Sequence, residues 1–504
     1  VEKVPINTKP KISEDLNKEK KKVSFEPMKP KYSFEEVILN EYEKVFESFA
    51  GIGAQMEAMK NLMRNDDLLK QLEFIKEKVK FVNVGTSEWF IDAIISYDAL
   101  HHGVQTTFPK YEKLSKKVML KFLLKYTLSK DSKNPCTREE IKKLPFEKIR
   151  QIYIALKRNK NYGSIVDIKP EDLPQTDILF YSSPCQDVSN AGKGEGLEIG
   201  TRSGLLWEIE RILYGLKLLN RLPKFLIMEN VKSLFDQPHI EGWNKFATFL
   251  ESLGYKNTTM VLNAKNFGIP QNRQRAFCIS ELNGTDEIKV ESKGSHTNIH
   301  DFLDLNNDSL IEEYKEVLPN NTKSRIEWIP KSRHINEMTH CMTITTKQDR
   351  WPNAGILFCD VNGKLIDNQN DWNINGDKAP YRFLTPREQL QLMGFKSNSY
   401  DVLKNIGMSK TKIQLMAGNS IVVPKLEAIF TSILKRIVEK SKSVLKNKKV
   451  RNKNFKPINN TAQSNAKHPV ITAVVSSKEA PITSKIPVVP GPIIIGIDKG
   501  TTAN

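Results

Sequence analysis

The sequence predicts an α/β protein: a doubly wound, mostly parallel sheet with a second, smaller and irregular domain. Three observations predict it. Short apolar runs recur through the first part of the chain, helical periodicity fills the gaps between them, and after about Leu282 the composition turns to Asn, Ser, Thr and Lys. Compact apolar runs are what strands buried on both faces look like, and successive β-α steps imply parallel pairing with crossover helices.

Residues 1–43 show no sustained apolar period and read as a flexible leader. Val45-Phe46-Glu47-Ser48-Phe49 then meets Ala50-Gly51-Ile52-Gly53 and runs into Met56, Met59, Leu62 and Met63 at helical spacing, which gives a strand, a tight turn and a helix. Phe81 to Gly85 is a second strand, ahead of Glu88-Trp89-Phe90 and an apolar helix through Ile94. Residues 98–164 are Lys-rich and helical in pattern, an insertion packed on the sheet. Further strands are expected at Ile165–Ile168, Ile178–Tyr181 and Phe225–Met228, with a helix from Leu205 to Leu219 between the last two. The α/β domain thus spans 44–281, and the irregular domain, with β-like pieces such as Met342–Thr346, spans 282–380. Helical pattern at Pro386–Met393 and Val423–Val438 returns residues 381–438 to the first domain. Residues 439–504 are a basic tail expected to be disordered. In such a sheet ligands bind at the carboxyl ends of the strands.

The chain carries 77 Lys and Arg against 59 Asp and Glu, a net +18 that invites a nucleic-acid partner. Of this, +11 lies in 431–504, so charge alone does not decide the function. No apolar run reaches the ~18 to 20 residues that cross a bilayer, and the expectation is a cytoplasmic protein with no membrane partner. Five cysteines form no C-x-x-C pair, which suggests neither a disulfide framework nor a zinc site.

Closely spaced glycines at a strand end let backbone approach a ligand, although Gly51 and Gly53 would also serve a simple turn. Glu88 can accept both hydroxyls of a ribose. Trp89 can stack on an adenine or simply pack in the core, and Asp167, at the end of the expected third strand, can accept from an adenine amino group. Cys185, in the polar turn Ser182-Ser183-Pro184-Cys185-Gln186 after an apolar strand, is placed to react as a thiolate. Glu229, at the end of the next strand, would share that sheet edge. A carboxyl partly removed from water keeps its proton more readily, while a helix-start acid capped by Asn230 is the alternative. Arg273 and Arg275 alternate before an apolar run and would share one face, suited to a phosphate or a carbonyl oxygen.

Taken in order, F-x-G-x-G at Phe49–Gly53, P-C-Q at Pro184–Gln186, E-N-V at Glu229–Val231, Q-x-R-x-R at Gln271–Arg275, R-x-L-T-P-R-E at Arg382–Glu388 and G-N-S at Gly418–Ser420 form a series. It resembles that of the cytosine-5 DNA methyltransferases over residues 44–438. Stretches such as Thr201–Glu208 look like the modification methyltransferases of mollicutes.

The resemblance implies a Rossmann-like fold, S-adenosyl-L-methionine as cofactor and duplex DNA as substrate. By it, Cys185 attacks C6 of a flipped cytosine, Glu229 bonds at N3, Arg275 contacts the base carbonyl oxygen, and Arg273 supports the cysteine turn. Phe49, Gly51, Gly53, Glu88, Trp89, Asp167, Ile168, Pro184, Leu205 and Asn419 are assigned to the cofactor. Gln186, Ser189 and Asn230 face the substrate, and Ser189–Gly200 forms a mobile loop. Residues 282–380 become a target-recognition domain, in which Lys347, Gln348, Arg350 and Asn353 are donors toward base edges or phosphates. Ser183 departs from the Phe that many members carry before P-C. The enzyme implied acts as a monomer, in a restriction-modification pair with a separate endonuclease or as an orphan. Rival readings are a transfer-RNA cytosine-5 methyltransferase, which uses the same motifs on RNA, and a catalytically idle nucleic-acid binder. A thiol protease lacks a histidine at the motif positions.

Overall fold

The computed structural model describes residues 42–65, 80–105, 111, 113–183, 205–237, 239–292, 294, 297–304, 306–348, 352–366 and 377–454. Among the described residues, seven strands precede residue 283: β1 (Tyr42–Ser48), β2 (Lys80–Ser87), β3 (Ile178–Tyr181), β4 (Phe225–Val231), β5 (Tyr255–Asn263), β6 (Gln271–Asn272) and β7 (Gln274–Leu282). All but β6 join one sheet in the order β2-β1-β3-β4-β7-β5. β2, β1, β3 and β4 pair in parallel, and β7 runs antiparallel to both of its neighbours. The chain steps from β1 out to β2 on one side and from β3 out to β4 on the other. Strand order therefore reverses between β1 and β3, where such sheets open a crevice at their carboxyl edge.

Alternation along the strands builds two apolar layers. Val45, Ile178, Phe180, Phe225 and Ile227 enter one, while Phe46, Leu179, Tyr181, Leu226 and Met228 enter the other. The first layer is covered by α1 (Ala54–Met63), α2 (Ile91–His102) and α3 (Phe146–Arg158), the last from the insertion. The second is covered by α4 (Leu206–Leu218) and α5 (Ile240–Ser252). Leu426, Ile429, Phe430 and Ile433 of α6 (Val423–Asn454) also lie in the first layer, with the Phe430 ring 5.0 Å from that of Phe81.

Three expectations are corrected. Ile165–Ile168 is no strand; Ile165–Asp167 is a 3-10 turn, with Ile165 and Ile168 buried and Val166 and Asp167 exposed between them. That one-sided, three-residue spacing suits a turn ahead of Pro170. Of Met342–Thr346 only Met342 is extended, in β8 (Cys341–Met342), which pairs in parallel with β6; the Ile344 N–H bonds instead to the Gln271 side chain at 3.0 Å. Finally, α6 continues past Val438, where the tail was expected to begin, because residues 439–454 contain no Pro or Gly and many helix-forming Lys.

The chain divides into two units, Val1–Asn447 and Lys448–Asn504; in the second, the described residues 448–454 are helical. Within the first unit, the described residues of 282–380 hold short helices, 3-10 turns and two-residue strands around small clusters such as Ile299, Ile335, Ile344 and Leu357. Among the described residues no helix is long and apolar enough to cross a membrane.

Glu47, on β1, is fully buried, and its Oε1 accepts from Tyr97 Oη at 3.0 Å and Asn83 Nδ2 at 2.5 Å. Burial pushes its carboxyl up from 4.5 to about 7. A folded value above the unfolded one means that its contribution to stability is fully present below about 4.5 and is lost as pH rises through about 7. Glu47→Gln, which cannot ionise, is therefore expected to gain on the wild type between pH 5 and pH 8, by on the order of 2 to 3 kcal/mol. Urea unfolding at the two pH values checks this, and a gap that does not widen with pH refutes it.

Candidate active site

The turn after β1 is shaped by backbone conformation. Phe49, Gly51 and Gly53 take φ of 57°, 55° and 80°, three left-handed residues within five, and the last is the N-cap of α1. Such strain in a non-glycine residue, here Phe49, is kept where the surroundings over-determine it and is concentrated at functional sites. The turn docks on β2 through the Ala50 N–H to the Ser87 carbonyl at 3.1 Å. A Cβ on Gly51 would meet nothing within 4 Å, so the backbone there is open to a ligand. A Cβ on Gly53 would lie 2.4 Å from His101 Nε2 and 2.6 Å from the Tyr97 ring.

His101 braces this turn, its Nε2 bonding to the Ile52 carbonyl at 2.9 Å. Burial, helped by the Lys60 charge, lowers its pKa to about 3, so the ring is neutral and Nε2 carries the donated proton. Gly53→Ala is expected to cost about 1 to 2 kcal/mol in backbone strain alone and to distort the turn besides. Urea unfolding of the variant against the wild type checks this, and unchanged stability refutes it.

Glu88 follows β2. Its Oε2 accepts from the Gly51 N–H at 2.9 Å, and its Oε1 from the Trp89 and Phe90 N–H groups at 2.8 Å each. Burial pushes the carboxyl up, and these three bonds pull it the other way.

At the end of β4, Glu229 is 5% exposed. Tyr181 is paired with Met228 across β3 and β4, so Ser182 arrives beside Glu229 and its Oγ donates to Glu229 Oε2 at 2.5 Å. From β7, Arg275 Nε approaches Glu229 Oε1 to 3.4 Å. Asn230 Nδ2 donates to the carbonyl and Oγ of Ser183 at 3.4 and 3.3 Å, which gives that serine a defined place in the turn. Arg273 lies between β6 and β7 rather than on one continuous strand with Arg275, and is 2% exposed. Its guanidinium donates to the carbonyls of Ile344 at 2.7 Å and of Gly418 and Ser420 at 2.9 Å each. A Cβ on Gly418 would stand 2.5 Å from the Thr345 backbone, so glycine is needed where these two segments meet. Lys425 is fully buried behind them, its Nζ donating to the Arg273 carbonyl at 3.3 Å; burial, then Arg275 and Arg273, hold its pKa well below the usual lysine value.

One cavity of about 500 Å³ joins these groups, from Phe49, Gly51, Glu88 and Trp89 to Glu229 and Arg275, with Leu205 and Asn419 on its wall. Residues 124–435 match the family of C-5 cytosine-specific DNA methylases. The chain belongs to that family. It is 37% identical over 396 residues to Type II methyltransferase M2.ScrFI of Lactococcus lactis subsp. cremoris, covering 78% of this chain and 99% of that protein. It is 33% identical over 405 residues to Orphan methyltransferase M.SssI of Spiroplasma monobiae, covering 77% and 97%.

The methyltransferase family uses S-adenosyl-L-methionine, and the cavity fits such a group. Its volume is within the range of small-molecule sites, the Gly51 backbone is open to it, and Glu88 offers a carboxylate beside Trp89. Pro184, Cys185, Gln186, Ser189, the Ser189–Gly200 loop and Arg350 lie outside the described residues of the methyltransferase. Other assignments shift. Gly53 does not line the cavity; it packs against His101 and Tyr97 and serves the turn itself. Asp167 does not line the cavity; in its 3-10 turn its Oδ2 accepts from the Thr127 N–H at 3.1 Å. Ile168 is buried in the second apolar layer, and Gly163, Ser164, Ile165 and Val166 form that wall instead. Gln348, expected at a DNA surface, is 1% exposed and its Nε2 bonds to Thr345 Oγ1 at 3.4 Å. Lys347 is exposed, and Asn353 Nδ2 bonds to the Thr343 carbonyl at 2.8 Å.

Sequence reasoning missed Ser182 as the partner of Glu229, although its place before Ser183-Pro184-Cys185 was a usable signal. It also missed the insertion residues Thr127, Ser132, Lys133 and Pro135 on the cavity wall, which no local pattern marks.

Proposed function

We propose that this DNA methylase adds the Cys185 thiolate to C6 of a cytosine extruded from duplex DNA and methylates C5 of that base. The observation that carries the reading is the single cavity joining the glycine turn and Glu88 to the Glu229–Arg275 pair. As the sulfur–C6 bond forms, the C5–C6 π electrons move to C5 and into the ring. A proton held between Glu229 and N3, and Arg275 at the base carbonyl oxygen, favour that charge over the resting base. S-adenosyl-L-methionine, when bound at Phe49, Gly51, Glu88, Trp89, Leu205 and Asn419, supplies the electrophilic methyl group for C5. Loss of the C5 proton and departure of the sulfur then restore the aromatic ring.

Arg273 acts through structure: its three carbonyl bonds tie the 344–346 segment to the G-N-S turn, and Asn230 orients the residue before Pro184. Extrusion of the base costs a few kcal/mol, which contacts from 282–380 offset, with Lys347 an exposed donor. Three other cysteines, Cys278, Cys341 and Cys359, are buried with thiols pushed up to about 12, which leaves them inert at neutral pH. The enzyme would act as a monomer in the cytoplasm, as the modification partner of a separate endonuclease or as an orphan.

Labelled cofactor offered with plasmid DNA and with transfer RNA, followed by bisulfite sequencing of the plasmid, tests the reading. Label in DNA alone, with one protected cytosine context, is expected. Label in transfer RNA alone, or no protected context, overturns it.

A further inference from the structure

We propose that the loop Thr127–Pro135, carried by the insertion, is a cofactor-specificity element that closes over the outer edge of the purine. This rests on reading the cavity as the site of the methyl donor. The loop is fastened to two segments of that cavity wall. Ser129, fully buried, donates its N–H to the Trp89 carbonyl at 2.8 Å and accepts from the Ile91 N–H at 2.9 Å. The Thr127 N–H donates to Asp167, in the turn after Gly163. The Cys136 N–H closes the base of the loop on the Leu128 carbonyl at 2.7 Å.

The tip is equally constrained. Asp131 accepts from the N–H groups of Lys133 and Asn134 at 2.8 Å each, from Asn134 Nδ2 at 2.9 Å and from Ser129 Oγ at 3.1 Å. These bonds, the Asn134 N–H first, hold its carboxyl well below the usual range. Ser132 sits at φ 59°, a left-handed conformation that a serine adopts at a cost. Order and strain of this kind in a surface loop need a compensating role, and the tip spends them on a wall. Ser132, Lys133, Pro135 and Thr127 line the cavity that also holds Glu88 and Trp89.

The position assigns the ligand part. A ribose held by Glu88 places its base on the Trp89 side, and the loop is bonded to the Trp89 backbone itself. Hydroxyls at Thr127 and Ser132 and the ammonium of Lys133 are donors, and a purine edge presents ring nitrogens as acceptors. A rigid wall at that edge rejects a base enlarged there.

The test measures binding of S-adenosyl-L-homocysteine and of its N6-benzyl analogue to the full chain by calorimetry. The wild type is expected to prefer the parent by at least ~30-fold, a preference of the size that pocket shape provides. Asp131→Ala releases the tip, and should weaken the parent about 10-fold and cut the preference below about 3-fold, while Asp131→Asn, which keeps an acceptor, restores both. Lys133→Ala, at an exposed position, gives a second reading if Asp131→Ala fails to fold, with the parent weakened about 5-fold. Affinity and preference unchanged in the folded variants overturn the proposal alone. A wild type that binds neither compound overturns the methyl-donor reading beneath it.

Discussion

Cys185→Ser is expected to slow methyl transfer to DNA by on the order of 10⁴-fold, with binding of the duplex and of S-adenosyl-L-homocysteine unchanged. A thiol with pKa ~8.5 supplies a few per cent of thiolate at neutral pH, whereas a serine hydroxyl there supplies essentially no alkoxide. Glu229→Gln acts on the same step. It keeps the shape and the Ser182 contact but can no longer hold or share a proton at N3, and should cost about 10²- to 10⁴-fold. Single-turnover incorporation of a tritiated methyl group measures both. Cytosine carrying fluorine at C5 adds a second readout: with no proton to lose, the sulfur–C6 bond persists and appears as a denaturant-resistant complex with the wild type. If the serine variant transfers methyl at the wild-type rate, the covalent reading is wrong.

Glu388→Ala is expected to cost about 3 to 5 kcal/mol of stability, the penalty for leaving a buried charge without its partner. Arg382 and Glu388 meet with two 2.8 Å bonds, and their side chains are 0% and 1% exposed. The arginine also donates to the Gly363 carbonyl at 2.9 Å, and Glu388 closes a capping box with Thr385 at the start of the helix Pro386–Gln391. The pair therefore joins β10 (Tyr381–Arg382), and β9 (Leu357–Phe358) beside it, to that helix. Replacing both residues by leucine should recover much of the loss, because no charge is then stranded. Urea unfolding followed by tryptophan fluorescence checks the ordering of wild type, double variant and single variant. A single variant as stable as the wild type refutes it. Turnover of the folded fraction should be unaltered, which separates this motif from the chemistry.

Much of the fold was legible because strand and helix periods are local. Ile178–Tyr181 and Phe225–Met228 announce themselves as buried strands. The same apolar content misled at Ile165–Ile168, where burial at three-residue spacing belongs to a turn. Glu229 and Arg275 were both named from motifs, and the antiparallel pairing of Arg275 with Val231 brings them within 3.4 Å. Gln348 was misjudged because polarity alone does not tell a solvated donor from one bonded to a neighbouring side chain.

Strand-turn-helix order, the glycine turn after the first strand and the residue types that carry the chemistry are all legible locally, since each depends on neighbours a few positions away. That Ser182 holds Glu229 across 47 residues, that Arg273 reaches the Gly418 carbonyl across 145, and that an inserted loop walls the cavity beside Trp89 emerge in three dimensions alone. Those contacts arise from strand order and from close backbone approach in space, and no periodicity along a chain encodes either.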